Sequence, residues 1–149
     1  MLLQKIQDAY AAGKIDIQPF FYQAEFPIAA LLAGATVIQP INTQNDSDFV
    51  TRYVNLSSYS AAGTLTANPD MLISFFDSGS GKNWQDLPQH QNNVCGNGQL
   101  PFVWPEPFII KGSSVIQVTL TNREPAAQLA NVSLCGFKIF YLDNQYARF

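Results

Sequence analysis

GSSVIQVTLTNRE (residues 112–124) and NVSLCGFKIFYL (residues 131–142) are the stretches that carry the strongest fold signal in this chain. In the first, Ile116, Val118 and Leu120 alternate with Gln117, Thr119 and Thr121, the period-two pattern of a strand with one dry and one wet face. The second begins the same way, Val132 and Leu134 alternating with Ser133 and Cys135. Past Gly136 the apolar set moves to Phe137, Ile139 and Tyr141, which predicts a bulge or bend at the glycine.

Working outward, the same pattern recurs between turn residues. Strands are expected over Phe20–Ile28, demoted to an edge by Pro27, and over Thr36–Ile41 and Phe49–Leu56, where Arg52 shares a face with Val50, Val54 and Leu56. Met71–Phe76 is a nearly continuous apolar run and reads as a central strand covered on both faces. A turn-rich region, residues 77–98, holds at most one brief strand at 82–87. Pro101, Pro105 and Pro107 confine Phe102–Trp104 to an edge or an extended run before Phe108–Ile110. About eight strands result, the number of a jelly roll or similar antiparallel sandwich. The expected fold is therefore all-β: one antiparallel β-sandwich of jelly-roll type, over residues 20–149, with a short N-terminal helix. That helix is read over residues 2–12, with Leu2, Leu3, Ile6 and Tyr10 on one stripe and Gly13 as its stop. Residues 1–19 are read as a helical arm.

Composition narrows the function classes. The 149 residues are 47% hydrophobic and 13% aromatic, enough for one core without a metal or disulfide staple. Only 13% are charged, about half the usual ~25%. A surface of amides and hydroxyls is cheaper to desolvate than one of ions, which suits a chain that lives in an assembly. The net charge of −3 and eight scattered basic residues argue against nucleic acid as a partner. The longest apolar stretch, residues 28–38, is interrupted by Gly34 and Thr36 and is too short to cross a membrane. With no secretory signal pattern at the N-terminus, synthesis in the cytoplasm is expected, so the sequons at Asn55 and Asn131 have no glycosylation meaning and Cys95 and Cys135 are expected as free thiols.

Motifs for chemistry are weak. Residues 76–83 carry a Gly-Lys pair but lack the upstream glycine and the following hydroxyl of a phosphate loop, leaving a Gly-Ser hairpin turn. His90 is the lone histidine, which removes multi-histidine metal sites and leaves no oriented triad. Asp46 and Asp48 lack the surrounding pattern of a calcium loop. Glu25, Glu106 and Glu124 are the only glutamates from which a glycosidase pair could be drawn. The expectation is no catalytic, metal or cofactor site. Trp84 and Trp104, near Gly/Asn/Pro-rich loops, suit sugar binding if exposed; their plainer role is to cap the open ends of the sandwich.

The ordering of a short helix, a Phe-rich first strand, FVWPEPFIIKGSSVIQVTLTN (102–122) and the glycine-centred closing strand NVSLCGFKIFYL resembles small jelly-roll virion proteins of tailed bacteriophages, above all capsid cement or decoration proteins. The resemblance covers residues 20–142 and is one of pattern, without a signature motif. It implies a non-enzymatic protein on the capsid surface, bound to the major capsid protein or other virion subunits, as a dimer or trimer whose arms and loops clamp neighbouring subunits. The contact residues it points to are Leu2, Leu3, Ile6 and Tyr10 of the arm and Phe20, Phe21, Trp84, Phe102 and Trp104 of the aromatic segments. The alternative is a carbohydrate- or receptor-binding module of a tail, spike or neck.

Overall fold

The computed structural model describes residues 2–96, 100 and 102–142. The chain opens with helix α1 (Leu2–Ala11). Gly13 ends it at φ +67°, its N–H donating to the Tyr10 carbonyl at 2.9 Å while the Lys14 N–H donates to the Ala9 carbonyl at 3.0 Å. This paired closure satisfies two of the carbonyls that a helix end leaves open, and the glycine supplies the left-handed backbone it requires.

Nine strands follow: β1 (Ile15–Phe26), β2 (Thr36–Asn42), β3 (Asp48–Ser60), β4 (Met71–Asp77), β5 (Lys82–Asn83), β6 (Gln89–His90), β7 (Phe102–Ile110), β8 (Val115–Asn122) and β9 (Gln128–Tyr141). They form two antiparallel sheets, the first in the order β1-β9-β3-β7 and the second in the order β2-β8-β4-β5, with β6 also on β4. With β5 and β6 sharing one place, successive strands pass between the sheets in the order of a jelly roll. Prolines sit where free edges need blunting: Pro19 in β1, Pro40 in β2, and Pro105 and Pro107 in β7. Each removes an edge N–H that a foreign strand would need.

The two long C-terminal stretches are strands as expected, but Gly136 does not bend the chain. The β1–β9 pairing runs without a break from Ile15↔Tyr141 to Phe26↔Ala130. The extra residue lies across the ladder, where the β3–β9 register shifts between Thr51 and Tyr53 and leaves Arg52 unpaired and exposed. The four residues expected on one face are therefore split: Val54 and Leu56 point between the sheets, Val50 lies in the outer cluster, and Arg52 is the exposed extra residue of the bulge. The apolar set changes along β9 because the strand is dry on both faces in turn. Ala130, Val132 and Leu134 point between the sheets with Phe26, Phe49, Phe75, Ile116 and Leu120, whereas Ile139 points outward into a second cluster with Ile6, Ile15 and Val50. Helix α1 roofs that second cluster, with Ile6 2% exposed.

Other boundaries move. β1 starts at Ile15, so a division at residue 19/20 falls inside a strand already paired to β9. Of the strand expected over 82–87 only β5, two residues long, is formed, and β6 lies beyond it at Gln89–His90. Strand β4 alternates strictly, Met71, Ile73 and Phe75 buried and Leu72, Ser74 and Phe76 half-buried, so it is covered on one face and not on both. Of the expected sandwich domain, residues 143–149 lie outside the described residues, as do 97–99 of the turn-rich region and Pro101.

Candidate interaction surface

The sandwich is open along the flank where the edge strand β7 faces β5, because neither strand has a neighbour there. Aromatic rings close it. Trp84, just after β5, donates its backbone N–H to the Phe75 carbonyl at 3.1 Å. Its indole stacks between Phe75 (centroids 5.1 Å, 26° between planes) and Phe108 (4.9 Å, 13°). Trp104 packs edge-on against Trp84 and Phe108, at 5.5 and 4.9 Å, and its Nε1–H donates to the Val94 carbonyl at 3.0 Å. Both faces of Trp84 and the polar edge of Trp104 are thus engaged within the fold, the stacked and edge-to-face geometries that aromatic quadrupoles favour.

Beside this stack lies a shallow hollow of about 400 Å³ lined by Val94, Phe102, Trp104, Glu106 and Phe108. A second hollow of about 660 Å³, lined by Tyr59, Leu65, Asn68, Gln91, Leu100 and Phe102, shares Phe102 with the first. Leu65, Leu100 and Phe102 are 58%, 76% and 41% exposed, so the paired hollows form an open apolar surface along β7. Its rim is an amide network: Asn68 Oδ1 accepts from Asn92 Nδ2 at 2.7 Å and from Gln91 Nε2 at 3.3 Å, and Gln91 also donates to Asn92.

His90 supports that rim. Its Nδ1 accepts the Asn92 N–H at 3.3 Å, capping the short 3-10 turn Gln91–Asn93, and its Nε2 lies 3.4 Å from Asp70, which also meets Arg123 at 3.6 Å. Both ring nitrogens are occupied by structural partners, and no hydroxyl nucleophile is among them. The acids suspected of calcium binding face cations instead. Asp48, 2% exposed, accepts from Lys111 Nζ at 3.0 Å, Gly112 N–H at 3.0 Å and Tyr141 OH at 3.0 Å. Asp46 is 3.7 Å from Lys138 Nζ, which also donates to Gln44 and lies 4.1 Å from the Phe20 ring centroid. Asp77 caps the Gly-Ser turn, taking the Gly79 N–H and the Ser80 hydroxyl at 2.8 Å each. Glu25 and Glu106 sit on β1 and β7, the outermost strands of the four-stranded sheet. Three strand spacings separate the two strands by roughly 14 Å and the register offsets the two residues further along them, beyond the span of a glycosidase pair. Glu124 accepts the Asp70 N–H at 2.7 Å. Among the described residues no group of three or more His, Cys, Asp or Glu side chains is placed to hold a metal ion.

Both cysteines are free and buried. Burial pushes the Cys95 thiol up to about 12 and raises that of Cys135. At pH 9, where an ordinary thiol is half ionised, Cys95 keeps its proton and so its low nucleophilicity. Alkylation of the folded chain at pH 8–9 is therefore expected to leave Cys95 unmodified over the time in which a denatured sample takes up two labels, as read by intact mass.

The residues expected to make contacts fall into distinct places. Ile6 is buried beneath α1, Leu2 and Leu3 are half-buried, and Tyr10 is 55% exposed on the helix. Phe20 is partly buried at the core margin, with Lys138 beside its ring, whereas Phe21, one residue on, is 63% exposed on the outer face. Phe102, Trp84 and Trp104 come together at the flank, with Phe102 the open one. Leu65, Leu100 and the Asn68–Gln91–Asn92 rim were missed in the sequence reading; the signal was there, since isolated leucines within turn-rich loops have no strand core to enter.

No family model matches the chain, and no curated protein is similar to it by sequence. Among solved structures, the infectious bursal disease virus VP2 subviral particle is similar over 88% of this chain and 34% of that chain, at 9% identity and a TM-score of 0.37. The chain thus spans about a third of the length of the structure it matches.

Proposed function

We propose that this chain is a non-enzymatic virion structural protein that binds and stabilises a tailed-phage capsid as cement or decoration, bridging neighbouring capsid subunits. The observation that carries this reading is the pair of hollows joined at Phe102, an exposed apolar strip with an amide rim on a charge-poor sandwich. Such strips mark interaction surfaces. The proline-blunted edges disfavour strand addition, which favours contact through the side chains of this flank and through the exposed Tyr10 and Phe21. Many identical copies on a lattice supply avidity, and a chain that binds the assembled lattice alone stabilises it by mass action.

The sugar-binding alternative has less support. An indole that stacks on a sugar needs a free face, and Trp84 is covered on both.

The test is co-sedimentation of the purified chain with empty capsids. Wild type is expected to pellet to saturation, while Phe102→Asp and Leu100→Asp reduce retention about ten-fold or more, the effect of a central apolar contact. Tyr10→Ser tests the helix. Deleting residues 1–13 is a poor test, because it uncovers Ile15, Val50 and Ile139 and damages the fold itself. Wild-type chain that stays in the supernatant, or that is retained on polysaccharide and not on capsids, overturns the proposal.

A further inference from the structure

The outward face of the second sheet is free of charge along three whole strands. Ile41, Ile73, Phe75, Ile116, Val118 and Leu120 of β2, β4 and β8 point into the core, so the pleat turns their neighbours to the solvent. The register sets these in cross-strand rows: Thr36–Thr121–Leu72–His90, Ile38–Thr119–Ser74 and Pro40–Gln117–Phe76–Asn83. None in these rows is Asp, Glu, Lys or Arg; His90 is their one titratable group, and at that margin it meets Asp70, itself paired with Arg123. Ile38, in the central row, is 57% exposed. The outer face of the first sheet differs: it carries Glu25 and Arg52 and is partly roofed by α1, with Lys5 and Asp8.

We propose that this face is a contact between two copies of the chain, packed sheet to sheet about a two-fold axis passing near Thr119. A two-fold brings each group near its own kind in the other copy. A charged face repels itself in that arrangement, whereas hydroxyls, amides and aliphatic groups are self-compatible. The prolines in the edge strands β1, β2 and β7 disfavour strand-to-strand joining of two copies, and an uncharged sheet face offers face-to-face packing instead. Seven residues at about 3.3 Å by three to four strands at about 4.8 Å make a face of roughly 350–450 Å². That is about half of the ~800 Å² per partner in a standard interface, so the contact is weak and acts where copies are crowded. It does not depend on the virion reading: a chain that never pellets with capsids is still expected to self-associate.

The test is sedimentation velocity from about 10 µM to about 1 mM, the range in which a contact this small is populated. Wild type is expected to show concentration-dependent dimer. Thr119→Lys and Thr119→Glu, each placing like charges across the axis, are expected to weaken it about ten-fold or more, and an equimolar mixture of the two to restore association as a heterodimer. Val103→Lys, on the outer side of β7, serves as control and is expected to leave it unchanged. Three results overturn the proposal: wild type monomeric throughout, Thr119 variants that associate like wild type, or a mixture no better than its components. If wild type is monomeric yet Thr119→Lys loses capsid binding, the face belongs to a partner of different sequence.

Discussion

Gly136→Ala is expected to destabilise the fold by about 3 kcal/mol or more, the upper end of overpacking. A Cβ at this position would lie 1.9 Å from the Val50 carbonyl oxygen and 2.8 Å from its carbon, with Thr51 Cα at 3.0 Å. Those are backbone atoms of a strand held on both sides, β3 lying between β9 and β7, so they have no rotamer to change. The glycine is needed for space and not for its torsion, since its φ is not among the positive ones. At roughly 2–4 °C per kcal/mol for a domain of this size, thermal denaturation should fall by about 6–12 °C. Gly13→Ala is the contrast. Its φ of +67° strains any side chain but its Cβ meets nothing within 4 Å, so a loss of only about 1–2 kcal/mol is expected. Equal losses in the two variants would mean that β3 does not pass so close to β9.

Asp48→Ala comes next in size. The carboxylate is 2% exposed and accepts three hydrogen bonds, from the Lys111 ammonium, the Gly112 N–H and the Tyr141 hydroxyl, which tie the start of β3 to the β7–β8 turn and the end of β9. Removing it takes a buried acceptor from three half-buried donors and should lower stability by about 2–3 kcal/mol. Asp48→Asn keeps the shape and one acceptor oxygen but no charge, and is expected to fall between alanine and wild type. Urea midpoints measure both, with the slope unchanged if the unfolded state is unaffected. An alanine variant as stable as wild type would show that the carboxylate's interactions only offset its own burial.

Much of the architecture was legible in local patterns. The alternation of Ile116, Val118 and Leu120 with Gln117, Thr119 and Thr121 reports which face of β8 is dry, and Pro40, Pro105 and Pro107 report edges because a ring without an N–H has no place in an inner ladder. Gly13 marked the helix stop because a left-handed residue is needed there. The change of apolar phase at Gly136 was visible too, yet its cause was misread. A bend within β9 and a helix roofing its outer face leave the same trace in the sequence, and the two differ only in what packs on top.

The proposed contact surface was half legible. Aromatic residues in turn-rich segments pointed to the β7 flank, but which of them stay open depends on partners distant in sequence: Phe75 and Phe108 enclose Trp84, and the Val94 carbonyl accepts a hydrogen bond from the Trp104 indole N–H.

Strand content, edge positions, the helix and its stop, and the low charge of the surface follow from residue types and their spacing, because pleat alternation, missing N–H groups and backbone torsions act within a few residues. The bulge at Arg52, the docking of Ile6 onto Val50 and Ile139, the closure of the flank by stacked rings and the charge-free outer rows of the second sheet follow from which strands become neighbours. That choice is made by the burial of the whole core, summed over contacts far apart in the chain, and no local pattern carries it.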